Sequence, residues 1–260
     1  MSVTKEHPQV NELPFVAPCK KLELGAIKHW LRLALADIKT APRQSLTYGS
    51  IIVVLSYIIS IMVWLYGGIG LLVSLMSGFI FFGPVLAIGL YSISRQIQEG
   101  KVPQLGYCLR EGKRHLGNEL VFAFILLVVF LVWARAASMV HVFFPEISNA
   151  GWKDFVVFLS VGTLIGAIFS AIIFCLSAFS LPMIMDRKTD VITAVVTSVN
   201  AVLKNRKVMF IWAGIIVLTI IIGFATAFIG FVILMPLIGH ATWHAYQETI
   251  DASVWPRYEQ

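Results

Sequence analysis

The chain has 260 residues, of which 58% are hydrophobic and 13% charged, with a mean hydropathy of +0.84 and a formal charge of +6. A soluble domain carries roughly twice that charged fraction, so an ordinary water-soluble globule is excluded. The positive charge invites a nucleic-acid partner, but the placement of the basic residues gives it another meaning.

Residues 1–45 read as an N-terminal cytoplasmic segment. They mix Lys, Glu, Pro and short apolar pieces without the apolar core and small-residue cleavage site of a secretory signal, so insertion is expected to rely on the first transmembrane helix. Within the segment, "LELGAIKHWLRLALADIK" (22–39) puts Ile27, Trp30, Leu31, Ala34 and Ile38 on one helical face, away from Lys28, Arg32 and Lys39. That pattern predicts an amphipathic helix lying at the membrane interface.

No Asp, Glu, Lys or Arg occurs from Thr47 to Ser94 or from Val208 to Gln247. A helix needs about 20 apolar residues to cross the hydrocarbon core. These two runs, 48 and 40 residues long, are each long enough for two crossings. Glycines near their middles, "GGIG" at 67–70 and Gly223 before "FATAFIG", mark the expected hairpin turns. The uncharged runs Leu120–Ala134 and Phe155–Met185 add one crossing each. The expected fold is all-α with six transmembrane helices over 46–248, and residues 249–260 form a tail. A second amphipathic helix precedes helix five, where Ile192, Val195, Val199, Val202 and Leu203 share a face of "DVITAVVTSVNAVLKNRK" (190–207).

Of the 20 basic residues, seven precede the first helix, five lie between helices two and three, and five lie between helices four and five. Basic residues accumulate in cytoplasmic loops. With six crossings these rich segments fall on one side and both termini are cytoplasmic. Topology accounts for the charge, and no nucleic-acid partner is needed. Cys19 and Cys108 then face a reducing compartment and Cys175 lies inside helix four, which predicts no structural disulfide.

Pro84, Pro182 and Pro236 each fall inside an apolar helix, where a proline frees a carbonyl and bends the chain. After Pro84 and Pro236 come small residues at +3 and +5 (Ala87 and Gly239, Gly89 and Ala241) and an aromatic at +7 (Tyr91 and Trp243). This suggests a duplicated unit of amphipathic helix plus hairpin. Trp30, Tyr91, Trp243 and Tyr246 are expected as interfacial anchors at the headgroup level. "GTLIG" (162–166), extended by Ser170, gives a small-residue face that packs either within the chain or against another protein.

The stretches "DIKTAPRQSLTYG", "FGPVLAIGLYSISR", "SAFSLPMIMDRKTDVITAVVTS" and "PLIGHATWHAY" together resemble a bacterial integral-membrane family of unknown function. Its members are often labelled cytochrome c oxidase subunits. The resemblance spans roughly residues 25–250 and implies six helices in a bacterial inner membrane; it supplies no established catalytic residues, and no cofactor is expected.

The residues themselves offer little chemistry. Ionisable groups deep in the apolar runs, the usual mark of an ion pathway, are nearly absent, and no nucleophile stands with a base. His240 and His244 are one turn apart, a spacing that suits a shared metal. No cysteine or carboxylate joins them locally, so the expectation is hydrogen bonding to neighbouring segments or lipid headgroups, with no metal. Two functions from different classes follow. One is a non-catalytic accessory subunit or assembly factor packed against a larger, respiratory complex among membrane lipids. The alternative is a permease-like transporter of a small solute.

Overall fold

The computed structural model describes residues 14–66, 85–143 and 151–258. Among them the chain is helical, with two isolated β-bridges and no strand. The helices are α1 (Gly25–Thr40), α2 (Pro42–Tyr66), α3 (Ile88–Gln98), α4 (Leu105–Phe143), α5 (Trp152–Ser177), α6 (Ser180–Asp186), α7 (Val191–Lys204), α8 (Arg206–Ala225) and α9 (Phe231–Thr249).

Four stretches among the described residues are long and apolar enough to cross a membrane: Pro42–Leu65, Leu120–Met139, Trp152–Asp186 and Arg206–Ala225. The second expected crossing, with Pro84, lies largely outside the described residues. The sixth, α9, is helical, but its second half carries His240, Thr242, His244, Gln247 and Glu248 and is built into the protein core.

Burial is heaviest toward one end of α4 and α5, whereas α2 is also covered at Ile52, Val53 and Val63 and α8 at Thr219 and Gly223. Phe122 and Leu126 of α4, Ile173 and Ser177 of α5, and Val208, Met209 and Trp212 of α8 are covered. Leu131 and Val132, Leu159 and Leu164, and Leu218 and Ile221 on the same helices are exposed. The covered ends meet α1, α6, α7 and the end of α9 in one cluster that also holds Trp30, Phe179, Trp243, Tyr246 and Trp255. Apolar side chains left bare along a span are what hydrocarbon covers; the packed layer at one end is what holds the spans together.

Prolines set two local features. Pro182 lacks the N–H that would bond to the Ala178 carbonyl, and the helix breaks between α5 and α6 at that point. As the third residue of α6, Pro182 loses nothing further, because first-turn N–H groups have no acceptor within the helix. Pro236 lies inside α9 and deprives the Val232 carbonyl of its partner. Gly49 of α2 lies against that oxygen: a Cβ there would stand 2.3 Å from it. The absent side chain lets two helix backbones meet where one has a free carbonyl.

The two amphipathic helices bury opposite kinds of face. On α1 the apolar stripe Ile27, Trp30 and Ala34 turns inward against α9 and Trp212. On α7 the small polar side turns inward, with Thr193, Ala194, Thr197, Ser198 and Ala201 buried. Ile192 and Leu203 of its expected apolar face are exposed, while Val202 is covered. The helices also have different mates, since α1 packs on α9 and α7 packs on α5 and α6, so the two halves are not packed alike.

Both ends of the described chain are knitted into this layer. Ala17 N donates to Thr197 Oγ1 (3.0 Å) and Lys20 N to Thr249 O (2.8 Å). The tail returns through Lys188 N to Pro256 O (2.9 Å) and Arg187 Nη1 to Trp255 O (3.0 Å).

Candidate functional site: a buried polar relay at the histidine pair

The side chain that organises the site is Asp37. It continues the α1 stripe Ile27, Trp30, Ala34 by one more turn, which places a carboxylate on the inward face. Burying an ionised carboxylate is costly without partners, and α3 and α9 supply them. Ser94 Oγ donates to Asp37 Oδ2 at 2.6 Å, and His244 Nε2 lies 2.8 Å from the same oxygen. His240 Nδ1 sits 2.7 Å from Ser94 Oγ, and its Nε2 sits 3.0 Å from Ser45 Oγ.

Proton counting fixes the direction of each bond. Ser94 has one hydroxyl proton and gives it to Asp37, so toward His240 it accepts, and His240 carries its proton on Nδ1. Nε2 is then the acceptor for the Ser45 hydroxyl. His244 donates from Nε2 to Asp37, which leaves Nδ1 to accept from Gln98 Nε2 at 3.4 Å. Gln98 Oε1 in turn accepts from Trp243 Nε1 at 3.0 Å. The relay runs Ser45–His240–Ser94–Asp37–His244–Gln98–Trp243 across α1, α2, α3 and α9, with every named donor matched.

His240 is fully buried and lies outside the four apolar spans. Burial pushes its imidazole down to about 4; the Asp37 charge opposes that shift and His244 adds to it. A neutral ring is what the bond directions require. His240 Nδ1 stands 4.0 Å from Asp37 Oδ2, with the Ser94 hydroxyl bonded to both. A hydroxyl thus occupies the place where a shared ligand would sit. Among the described residues no group of three or more His, Cys, Asp or Glu side chains could hold a metal ion.

A second node lies on Asp186 at the end of α6, which is 1% exposed. Tyr246 Oη and Arg187 Nε both donate to its Oδ2 at 2.9 Å, and Arg257 Nε approaches Oδ1 at 3.7 Å. Burial first, and then the Asp186 charge, hold the Tyr246 phenol well above its ordinary value, so it remains a donor. Arg95 Nη1 donates to the Met185 carbonyl beside it (3.1 Å). This node ties α6, α9 and the tail together.

The residues singled out in the sequence fall as follows. His240 and His244 come together with Asp37, bonded to neighbouring segments of the chain. Trp30, Tyr91, Trp243 and Tyr246, expected at headgroup level, are buried inside the protein. The polar handles of Trp30, Trp243 and Tyr246 find protein partners; Trp30 Nε1, for example, donates to Glu248 Oε2 at 2.6 Å. On α5 Gly162 is exposed while Gly166 and Ser170 are partly covered, and a Cβ on either glycine would meet nothing within 4 Å. In the sequence reading Asp37, Asp186, Ser45, Ser94 and Gln98 have no role. The available signal was a carboxylate in register with the α1 apolar stripe.

Four helices long and apolar enough to cross a membrane define an integral membrane protein. Residues 71–186 match the model of a family described as "Predicted integral membrane protein (DUF2189)", whose function is unknown. No curated protein matches the chain, and no solved structure matches it.

Proposed function

We propose that the protein is a non-catalytic membrane component that packs against a larger complex in a bacterial inner membrane, with both termini cytoplasmic. The observation that carries this is the small-residue row of α5, exposed at Gly162, partly covered at Gly166 and Ser170, with open space at both glycines. Gly162, Gly166 and Ser170 lie on a span whose surface is largely bare, and small residues at that spacing let a neighbouring helix approach closely. The buried relay supports the same reading. Its Asp, His and Ser side chains are bonded to one another and sealed from solvent, which suits tying helices together rather than turning over a substrate.

The test is Gly166→Leu, alone and with Gly162→Leu. Open space at both positions predicts that the variant folds and melts like the wild type. Extracted in a mild detergent, the wild type should migrate on native gels as a slower assembly, and the variant should lose it. A wild-type protein that is monomeric in several mild detergents and conducts solute flux in liposomes would overturn this reading in favour of a permease.

A further inference from the structure

We propose that the outer face of α7 and its junction with α8 form a binding site for an anionic phospholipid. The apolar stripe would lie in the acyl boundary, and Arg206 and Lys207 would hold the headgroup phosphate.

The first observation is that α7 is packed inside out for a helix facing water. Its hydroxyls point into the protein and are satisfied there. Thr197 Oγ1 accepts from Ala17 N, while Ser198 Oγ accepts from Phe179 N (3.1 Å) and donates to Cys175 O (2.8 Å). Ile192 is 62% exposed and Leu203 50% exposed, with Val195 and Val199 partly covered between them. This row recurs every three to four residues, so it is one face of the helix.

The second observation says what covers that face. Just past the break at Asn205, Arg206 is exposed and Phe210 is 82% exposed on the first turns of α8. Helix α8 is one of the four apolar spans, and Ile211, Val217, Leu218 and Ile221 extend its bare surface. The exposed α7 row thus leads directly into a bare span surface of the kind that hydrocarbon covers. Asn205 (φ −116°, ψ 36°) makes the break between the two helices, so the chain turns where an interfacial helix passes into a span.

The third observation is charge. Arg206 and Lys207 are exposed between Leu203 and Phe210, and neither pairs with a carboxylate among the described residues. The N-terminal strap brings Lys20 and Lys21 to the same place. Asn205 Nδ2 donates to Lys20 O (3.0 Å) and Asn205 Oδ1 accepts from Leu22 N (2.8 Å). Glu23 is the one acid in that stretch of strap. Cations flanked by lipid-facing side chains sit at the depth of headgroup phosphates, where basic residues attract anionic lipid.

The inference is independent of the accessory-subunit reading. The test uses the full chain in nanodiscs made of equal phosphatidylcholine and phosphatidylglycerol, released and weighed by native mass spectrometry with its retained lipid. The wild type should retain phosphatidylglycerol preferentially. R206Q/K207Q should lower that preference about 25-fold, at about fivefold per basic residue, and K101Q should leave it unchanged. Saturating inorganic phosphate should not displace the lipid; displacement would mean a free-anion site and overturn the proposal, as would an undiminished preference in R206Q/K207Q. If that variant fails to fold, a nitroxide on Leu203→Cys decides instead, in a chain whose native cysteines are serine. Greater collision with oxygen than with a water-soluble nickel chelate supports burial in lipid, and the reverse overturns it.

Discussion

Asp37→Ala tests whether the relay holds the molecule together. The carboxylate is 6% exposed and accepts from Ser94 and His244 at 2.6 and 2.8 Å. Truncation removes two hydrogen bonds to a charged acceptor and leaves both donors buried without partners. Hydrogen bonds to a charged group are worth about 1.5–3 kcal/mol each, so losing two costs roughly 3–6 kcal/mol. At about 2–4 °C per kcal/mol for a chain of this size, the midpoint of unfolding should fall by roughly 10 °C. Asp37→Asn keeps an acceptor in the place of Oδ2 and loses only the charge assistance, about 1 kcal/mol, so it should fall by a few degrees. The assay is a thiol-reactive fluorophore during heating in detergent. Cys19 is buried, and burial raises its pKa despite its Asn200 hydrogen bond and the nearby Lys204 charge, so the thiol stays unreactive until the packed layer opens. Asp37→Ala melting with the wild type, or Asp37→Asn falling as far as Asp37→Ala, would refute the reasoning.

The same assay reads the other consequences. His240 binds its proton near 6.5 when unfolded and near 4 when folded. Between those values the unfolded state holds more protons, so stability present above pH 6.5 is lost as pH falls toward 4, by up to about 3 kcal/mol; His240→Gln should flatten that slope. Gly49→Ala would drive a Cβ to 2.3 Å from the Val232 oxygen, and backbone cannot swing away as a side chain can. A loss of roughly 2–4 kcal/mol is expected from the forced separation of α2 and α9, and a neutral outcome would show that their crossing is not tight. Ala227 turns the α8–α9 connection with φ 49°, in the left-handed region, so Ala227→Gly should raise the midpoint slightly, by about 1 kcal/mol of relieved strain.

The membrane class was legible because hydrocarbon imposes one strong rule, a long uncharged run, and four such runs form apolar helices here. The packed layer was far less legible. α1 and α7 carry similar apolar stripes in the sequence, yet α1 buries its stripe in protein and α7 turns part of its stripe outward. Periodicity reports that a face is apolar and says nothing of whether protein or lipid covers it. Trp243 and Tyr246 show the same ambiguity, since an aromatic residue with a polar tip suits a headgroup boundary and a buried hydrogen bond equally. The relay was invisible for a different reason. Asp37, Ser94 and His240 lie far apart in sequence, and only the packing of α1 on α9 brings them within bonding distance.

Placing the specific, satisfied interactions at one end of the molecule has a consequence for the spans. Helices α4 and α5 contact each other but leave much of their length to lipid. In hydrocarbon no hydrophobic force drives such helices together, so close packing and hydrogen bonds must do it. Those forces are concentrated where Phe122, Ile173, Trp212, Asp186 and the Asp37 relay meet. The spans are therefore positioned by their roots. Their outer faces, the Gly162–Gly166–Ser170 row among them, remain free to meet another helix at little cost to this fold. That separation of roles is why Gly166→Leu should spare the melting midpoint and remove the assembly, whereas Asp37→Ala should lower the midpoint first.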